Sequence, residues 1–273
     1  MVEYMVRRQA ATNARLAGKS RPWSSDPVIN TYKFCSVLRD DDRTSIEARN
    51  YIMDRIDSDQ SKLTALLVFR LLNRVNSIRA VMEMPEWSRD SLIQKLYETK
   101  PLFSNAYRVM VPGGLYNREG VADLMIELDQ HRSEFLRMND RWLAKAVHKK
   151  LRELGLGPFV AYQTMQDLRW LWGPYVDEDE WAYIGPGALR GLDRIKGIYK
   201  PMSNTERRDN AVTLGIEIPA HLKPILNDLL TQAKERLGPK INMFEIEHNL
   251  CEWDKYCRYA SGETSGTKFK PKD

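Results

Sequence analysis

Two glycine clusters near the middle of the chain combine residues that bind phosphate with residues that move protons. Gly155-Leu156-Gly157-Pro158 and Gly185-Pro186-Gly187 each lead into a segment with helical character. Backbone N–H groups at a helix start can hold a phosphate, and neighbouring carboxylates can act as acids or bases. The segment from residue 151 to 197 is therefore predicted to hold a nucleic-acid strand and help catalyse a reaction on it. Its candidate catalytic carboxylates are Asp167, Asp177, Asp179 and Glu180.

The first cluster has the pattern of a helix-hairpin-helix. Leucines precede a Gly-apolar-Gly turn, and the small Ala161 follows where a second helix packs closely. Glycines let such a turn approach a phosphate, and the N–H groups that open the second helix face the anion. The predicted DNA-binding residues here are Lys149, Lys150, Gly155, Leu156 and Gly157. The alternative is an ordinary glycine-capped turn between two helices.

Two of the carboxylates have positions that suggest specific roles. Asp177 lies where DNA glycosylases built on this hairpin carry a catalytic aspartate. Asp167 shares a helical face with Val160, Thr164 and Leu171, which directs its carboxylate inward. Burying a carboxylate is costly unless it is paired or functional. Asp167 is therefore either a catalytic residue or the partner of an arginine elsewhere.

The second cluster predicts a second anion site. The N–H groups at Gly185 and Gly187 open a helix, and Arg190 lies one turn further on, where its guanidinium could bind phosphate. Two anion sites suit a strand phosphate and a separate phosphate that reacts. A plain Gly-Pro-Gly loop is the alternative.

Two further segments add candidates. Residues 21–43 interleave aromatic and basic side chains, a composition suited to base stacking and phosphate contacts, although a solvated first helix would look similar. In the last helix, one flank carries carboxylates that either line a cleft or form salt bridges. The predicted phosphate ligands are Arg21, Lys33, Arg39 and Arg43, the stacking residues are Trp23 and Tyr32, and the secondary candidates are Asp26, Glu247 and Asp254.

Composition narrows the class of protein. The net charge of +5, with basic residues concentrated at both ends, suits a phosphate backbone. The three cysteines and four histidines lack metal-ligand spacing, so no metal or cofactor is predicted and a reducing cytoplasm is expected. The sequence shows neither a secretory signal nor an apolar run that could span a bilayer, so no membrane partner is predicted.

Hydrophobic periodicity predicts a mainly α protein. Leu63, Leu67, Leu71, Val75 and Ile78 form one amphipathic stripe, and similar patterns recur along the chain. Three regions are expected: a flexible basic arm over residues 1–20, one helical domain over 21–262, and a disordered basic tail over 263–273 that carries Lys268, Lys270 and Lys272.

Four segments in this order resemble a known family. They read RPWSSDPVINTYKFCSVLRDDDR, LGLGPFVAYQTMQDLRW, DEWAYIGPGALRGL and CEWDKYCRYASGE. The chain is similar to the α-glutamyl/putrescinyl thymine pyrophosphorylases, amino acid:DNA transferases of bacteriophage thymine hypermodification. With the helices between them, the segments cover most of residues 21–262.

The resemblance implies a helix-hairpin-helix, DNA glycosylase-like fold and a DNA substrate with phosphorylated hydroxymethyluracil. An amine, such as an amino acid or putrescine, would replace the phosphate or pyrophosphate. A hydroxymethyluracil DNA kinase and the enzyme that makes hydroxymethyl-dUMP would act upstream, in the cytoplasm of the host cell. The reacting base would be extruded from the duplex. Two alternatives stay open: a glycosylase that excises a modified or damaged base, and a DNA-binding module without catalysis.

Overall fold

The structure is a computed structural model that describes residues 1–104, 109–137, 143–200, 216–218, 220–264 and 266–269. Several expectations fall on other residues. Lys270 and Lys272 of the basic tail lie outside the described part of the chain.

The described chain is mainly helical, which confirms the predicted fold class. Its α-helices are α1 (Val2–Leu16), α2 (Pro27–Thr31), α3 (Arg43–Arg55), α4 (Asp59–Leu72), α5 (Val75–Met82), α6 (Arg89–Glu98), α7 (Arg118–Gln130), α8 (Arg132–Arg137), α9 (Ala144–Glu153), α10 (Pro158–Trp172), α11 (Pro186–Ile195), α12 (Lys223–Leu237) and α13 (Met243–Ala260). Short antiparallel ladders join β1 (Met110–Val111) to β2 (Gly114–Leu115), and β3 (Tyr183–Ile184) to β4 (Ile216–Glu217).

The chain divides into two compact units, where the sequence predicted one helical domain. The terminal unit comprises Met1–Asp42 and Asp179–Asp273, and the central unit comprises Arg43–Glu178. Both chain ends therefore belong to one unit. Sequence patterns did not reveal the division, because each helix shows its apolar face but not the helix it packs against.

The core of the central unit is built on α4, which is buried on nearly all sides and packs against α10 and α7. The predicted apolar stripe continues into α5, but the helix does not. Asn73 adopts a left-handed conformation (φ 49°) and ends α4, so α5 begins at Val75. Asparagine is among the few non-glycine residues that tolerate this conformation.

The turn between α9 and α10 has a local geometry that suits both the predicted helix-hairpin-helix and an ordinary glycine-capped turn. Gly155 has φ +96°, a conformation that L side chains rarely adopt. The Leu156 N–H donates to the Leu151 carbonyl at 3.1 Å, and Leu156 itself is buried. Pro158 occupies the first turn of α10, where its missing N–H costs nothing. The turn is therefore a compact element that presents the start of α10.

In the terminal unit, α11 lies directly on α13. The helices approach so closely because Gly187 and Gly191 face α13 without side chains. A Cβ atom at Gly191 would collide with the Leu250 carbonyl oxygen, and one at Gly187 would collide with the Cys251 Sγ. This contact sets the position of α11 against the last helix.

The prediction of a flexible arm is wrong for residues 2–16, because these residues form the helix α1. Tyr4 and Met5 are buried, and the buried Arg8 donates to the carbonyl oxygens of Cys35 (3.0 Å) and Phe34 (2.9 Å). The apolar periodicity looked weak because an arginine occupies part of the inward face. Its charge is satisfied by backbone carbonyls that are distant in sequence.

The tail returns to the fold, contrary to the expected disorder from residue 263. The Lys33 N–H donates to the Thr267 carbonyl at 2.9 Å, and the Phe269 N–H donates to the Thr31 carbonyl at 3.0 Å. Residues 266–269 are therefore held against the start of the chain by backbone hydrogen bonds that side-chain patterns do not reveal. None of the helices in the described ranges has the length and apolar character needed to cross a bilayer.

Replacing Gly191 by alanine is expected to lower the free energy of unfolding by at least about 1 kcal/mol, even after the gain in helix propensity. The new methyl group would press on the Leu250 backbone, which cannot rotate away. Urea unfolding measures the effect. Gly185→Ala is the matched control, because its nearest heavy atom, Glu247 Oε1, is 3.5 Å away. Equal stability of both variants would contradict the tight helix contact.

Candidate functional site

The candidate site is organised around Glu247 on α13. Asn242 caps this helix by accepting from the Phe244 N–H at 2.9 Å. One turn further on, the half-buried Glu247 side chain reaches the start of α11, where its Oε1 accepts from the Gly185 N–H at 3.3 Å. The predicted glycine cluster and this carboxylate therefore meet, although 62 positions separate them in the sequence.

The electrostatics of Glu247 suit proton transfer. Burial raises the pKa of its carboxyl group to about 7, while the Gly185 N–H and the charge of Arg39 act in the opposite direction. A group with a pKa near the working pH exists in both protonation states and can take up and return a proton.

Cys251 lies one turn after Glu247, at the exposed edge of the same region. Partial burial and the carboxylates of Glu252 and Glu247 raise the pKa of its thiol to about 12, whereas the charge of Arg190 lowers it. The thiol is therefore protonated at neutral pH and is a poor nucleophile. Cys251 thus lies within electrostatic range of both Glu247 and Arg190, where α11 contacts α13.

Asp254, the next carboxylate along α13, has a structural role. Its side chain is buried and accepts from Arg190 Nε at 3.0 Å and Arg194 Nε at 2.7 Å, and Arg258 Nε lies 3.2 Å away. Arg194 also pairs with Glu263 at 2.9 Å. The salt-bridge interpretation of this flank is thus confirmed for Asp254. Three arginines, Arg190, Arg194 and Arg258, thus share the two carboxylates Asp254 and Glu263.

The structure places the four predicted catalytic carboxylates in separate environments. Asp167 forms a buried ion pair with Arg70, in which Arg70 Nη2 lies 2.6 Å from Asp167 Oδ1, so the alternative of a distant arginine partner is confirmed. Asp177 accepts from the Ala144 N–H at 2.6 Å and the Lys145 N–H at 3.3 Å, at the start of α9.

The other two carboxylates, Asp179 and Glu180, are exposed, and Asp179 pairs with Lys234. Their predicted catalytic role therefore has no buried cluster to support it. The four acidic residues at 177–180 thus have different surroundings: Asp177 accepts at the start of α9, Glu178 lies 3.8 Å from Arg169, Asp179 pairs with Lys234, and Glu180 is exposed.

Three of the predicted aromatic and basic residues near the N-terminus contact each other, the tail or α13. The Arg21 guanidinium lies 3.4 Å from the ring centroid of Phe269 and 4.4 Å from that of Trp23. Tyr32 stacks on Tyr259 with centroids 4.4 Å apart. The contact of Arg21 with Phe269 holds the returning tail in place, and all these contacts occupy aromatic surface predicted to stack on bases.

The remaining N-terminal candidates differ in position. Asp26 caps α2 through the Val28 N–H at 2.9 Å and also pairs with Arg7 at 3.0 Å, so its role is structural. Lys33 is exposed, and Arg43 is exposed at the start of α3 in the central unit. Arg39 is buried, and its charge acts on Glu247. Arg39 is thus the one member of this set for which a link to Glu247 is seen.

The predicted DNA-binding hairpin lies in the central unit. Lys149 is exposed beside Glu153, whereas Lys150 pairs with Glu134 at 2.6 Å. A shallow cavity of about 300 Å³ adjoins the turn. It is lined by Met110, Val111, Pro112, Arg152, Gly155, Leu156 and Gly157. The turn thus has a concave surface and basic side chains next to it, while Lys150 is neutralised.

Asp167→Asn is expected to lower the free energy of unfolding by about 3–5 kcal/mol, because it leaves the buried Arg70 charge without its opposing carboxylate. Chemical denaturation measures the loss. The control Asp179→Asn breaks an exposed pair and should cost at most about 1 kcal/mol. An Asp167→Asn protein as stable as the parent, but changed in its reaction, would favour the catalytic interpretation instead.

Comparison with known proteins gives the family. The protein-family model described as the 5-hmdU DNA kinase helical domain matches residues 1–266. The chain is 26% identical over 290 residues to a 5-hmdU DNA kinase of Bacillus phage SP10. The aligned region covers 95% of this chain and 44% of that relative. The chain thus spans less than half the length of the relative, and no solved structure matches it. This protein belongs to the family of 5-hmdU DNA kinase helical domains.

Proposed function

We propose that this chain is a DNA base-modifying transferase that replaces the phosphate or pyrophosphate on phosphorylated hydroxymethyluracil with an amine. The observation that carries the proposal is Glu247, a half-buried carboxyl group with a pKa near 7 that accepts from the Gly185 N–H at the start of α11. The name of the SP10 relative describes phosphorylation of a hydroxymethylated base in DNA. A transferase would use the product of that step.

In the proposed reaction, the amine nitrogen attacks the exocyclic methylene carbon of the base. The bond from that carbon to the phosphate oxygen breaks, and the electron pair leaves with the phosphate group. A primary amine is protonated at neutral pH and must lose a proton before it can attack. The ionised Glu247 carboxylate would accept that proton, because its raised pKa makes it a stronger base than an ordinary glutamate.

The leaving group requires positive charge in the same place. Arg190 retains 22% exposure of its side chain while it pairs with Asp254, so part of this side chain is accessible. The excess of arginine over carboxylate around Asp254 adds to the local positive potential. Stabilising charge that develops on a departing oxygen is commonly a large contribution to catalysis. Arg190, together with the N–H group at Gly187, is therefore assigned to the departing phosphate, whereas the Gly185 N–H already donates to Glu247.

DNA binding is assigned to the hairpin of the central unit. Its turn offers backbone N–H groups at the start of α10, and Lys149 and Arg152 supply positive charge nearby. Such contacts position the strand without reading its sequence. The reacting base would leave the stack, since its exocyclic carbon must be reached by both the amine and the base catalyst.

The family match favours a second candidate. The relative is named a kinase, and this chain matches a helical domain that accounts for less than half of it. The chain would then be a DNA-binding module that serves phosphoryl transfer carried out elsewhere in a longer protein. Glu247 would have no proton to move in that case.

Nucleoside mass analysis distinguishes these candidates. The chain is incubated with pyrophosphorylated hydroxymethyluracil DNA and a mixture of amino acids and putrescine, and separately with hydroxymethyluracil DNA and ATP. The transferase predicts an amine adduct and free pyrophosphate in the first reaction. A phosphate adduct formed only in the second would mean that this chain itself phosphorylates the base, which neither candidate predicts, and abasic sites would indicate a glycosylase. DNA binding without any mass change would overturn the transferase proposal.

Glu247→Gln is expected to lower the amine-transfer rate by about 100-fold or more, because the amide cannot accept the proton. In the parent protein the rate should rise with pH through about 7 and then level off, as the carboxyl group ionises. The variant should lose this inflection. Glu235→Gln, an exposed change on α12, is the control and should keep both the rate and the profile. A parent profile without an inflection near 7 would remove Glu247 from the mechanism.

A further inference from the structure

A second group of side chains in the terminal unit has the composition of a metal site. Cys35, Asp42 and His248 each offer one ligand atom, and these atoms lie within 4.8 Å of one another. The three residues lie on different segments, with Cys35 after α2, Asp42 before α3 and His248 on α13. We propose that they form a binding site for a single Zn²⁺ ion.

The protein holds this arrangement in place before any ion binds. Three side chains of α13 hold the backbone of residues 35–37 by hydrogen bonds. The bonds join Glu252 Oε2 to the Cys35 N–H (3.0 Å), His248 Nε2 to the Ser36 carbonyl (3.2 Å), and Asn249 Nδ2 to the Val37 carbonyl (2.9 Å). Ligands that are fixed by surrounding hydrogen bonds lose little freedom when a metal binds.

Asp42 is held by the same segment. Its Oδ1 accepts from the Ser36 N–H at 2.7 Å, so Ser36 is bonded through its N–H to Asp42 and through its carbonyl to His248. One backbone unit therefore sets the spacing of two of the three ligands. Hydrogen-bonded ligating carboxylates and histidines are a common feature of metal sites.

The ligand types identify the metal. A thiolate, an imidazole and a carboxylate together suit Zn²⁺, whereas Mg²⁺ and Ca²⁺ prefer oxygen ligands alone. Three protein ligands leave the fourth tetrahedral position to a water molecule or a substrate oxygen. Binding would replace the proton of the Cys35 thiol, so one proton is released to solvent for each ion bound.

Some of the charges around the three ligands favour the binding of a cation, and others oppose it. Asp42 and Glu252 attract a cation, while Arg39 acts electrostatically on both Cys35 and His248 and opposes it. Lys255 partly neutralises Glu252 at 3.1 Å.

The sequence predicted no metal because the three ligands do not form a spaced motif, and 206 positions separate Asp42 from His248.

Metal binding can be tested on the full chain alone, independently of any reaction on DNA. Metal-free protein is titrated with Zn²⁺ against a chromophoric chelator, and with Co²⁺ as a spectroscopic probe. One equivalent of Zn²⁺ should bind, and Co²⁺ should produce a thiolate-to-metal absorption band. Cys35→Ser should abolish that band and weaken Zn²⁺ affinity at least about 10- to 100-fold, and Glu252→Gln should weaken it about 10-fold.

Cys257→Ser is the matched control, because this half-buried cysteine on α13 lies outside the group. It should keep both stoichiometry and spectrum. Thermal unfolding of the parent with and without Zn²⁺ gives a result that does not depend on whether a variant folds, and Zn²⁺ should raise Tm. Binding below one equivalent, a cobalt spectrum without a thiolate band, no rise in Tm, or equal loss in Cys257→Ser would overturn the proposal.

Discussion

The close contact of α11 with α13 is the constraint on which the candidate site depends. Gly191 lets the two backbones meet, and the buried Asp254 binds Arg190 and Arg194 of α11 from its position on α13. A buried carboxylate is stable only with such partners. As a result, the Gly185 N–H at the start of α11 reaches Glu247, two turns before Asp254 along α13.

Carboxylates in this protein differ in role because their surroundings differ. Asp167 faces a buried arginine, Asp177 accepts two backbone N–H groups, and Asp254 is surrounded by guanidinium groups. Each of these environments supplies hydrogen-bond donors that fix the carboxylate in a structural role. Glu247 lies in surroundings where burial outweighs its hydrogen bond and the charge of Arg39, so its carboxyl group retains a proton up to neutral pH.

The same last helix supports both the proposed base catalyst and the proposed zinc ligand. Glu247 is directed to the start of α11, while His248, Asn249 and Glu252 hold the segment after α2. Adjacent residues on a helix point about 100° apart, so one helix can serve two surfaces at once. Many polar groups of α13 are buried because the helix forms hydrogen bonds both to the start of α11 and to the segment after α2.

Sequence alone determined the helical class and the glycine turn at Gly155 between two helices, since these depend on neighbouring residues. It also showed that Asp167 points inward. Tertiary structure decided that Arg70 pairs with Asp167, that α1 is packed, and that Glu247 meets Gly185. Partners distant in the chain leave no periodic pattern, and a pKa depends on burial and charge from every side.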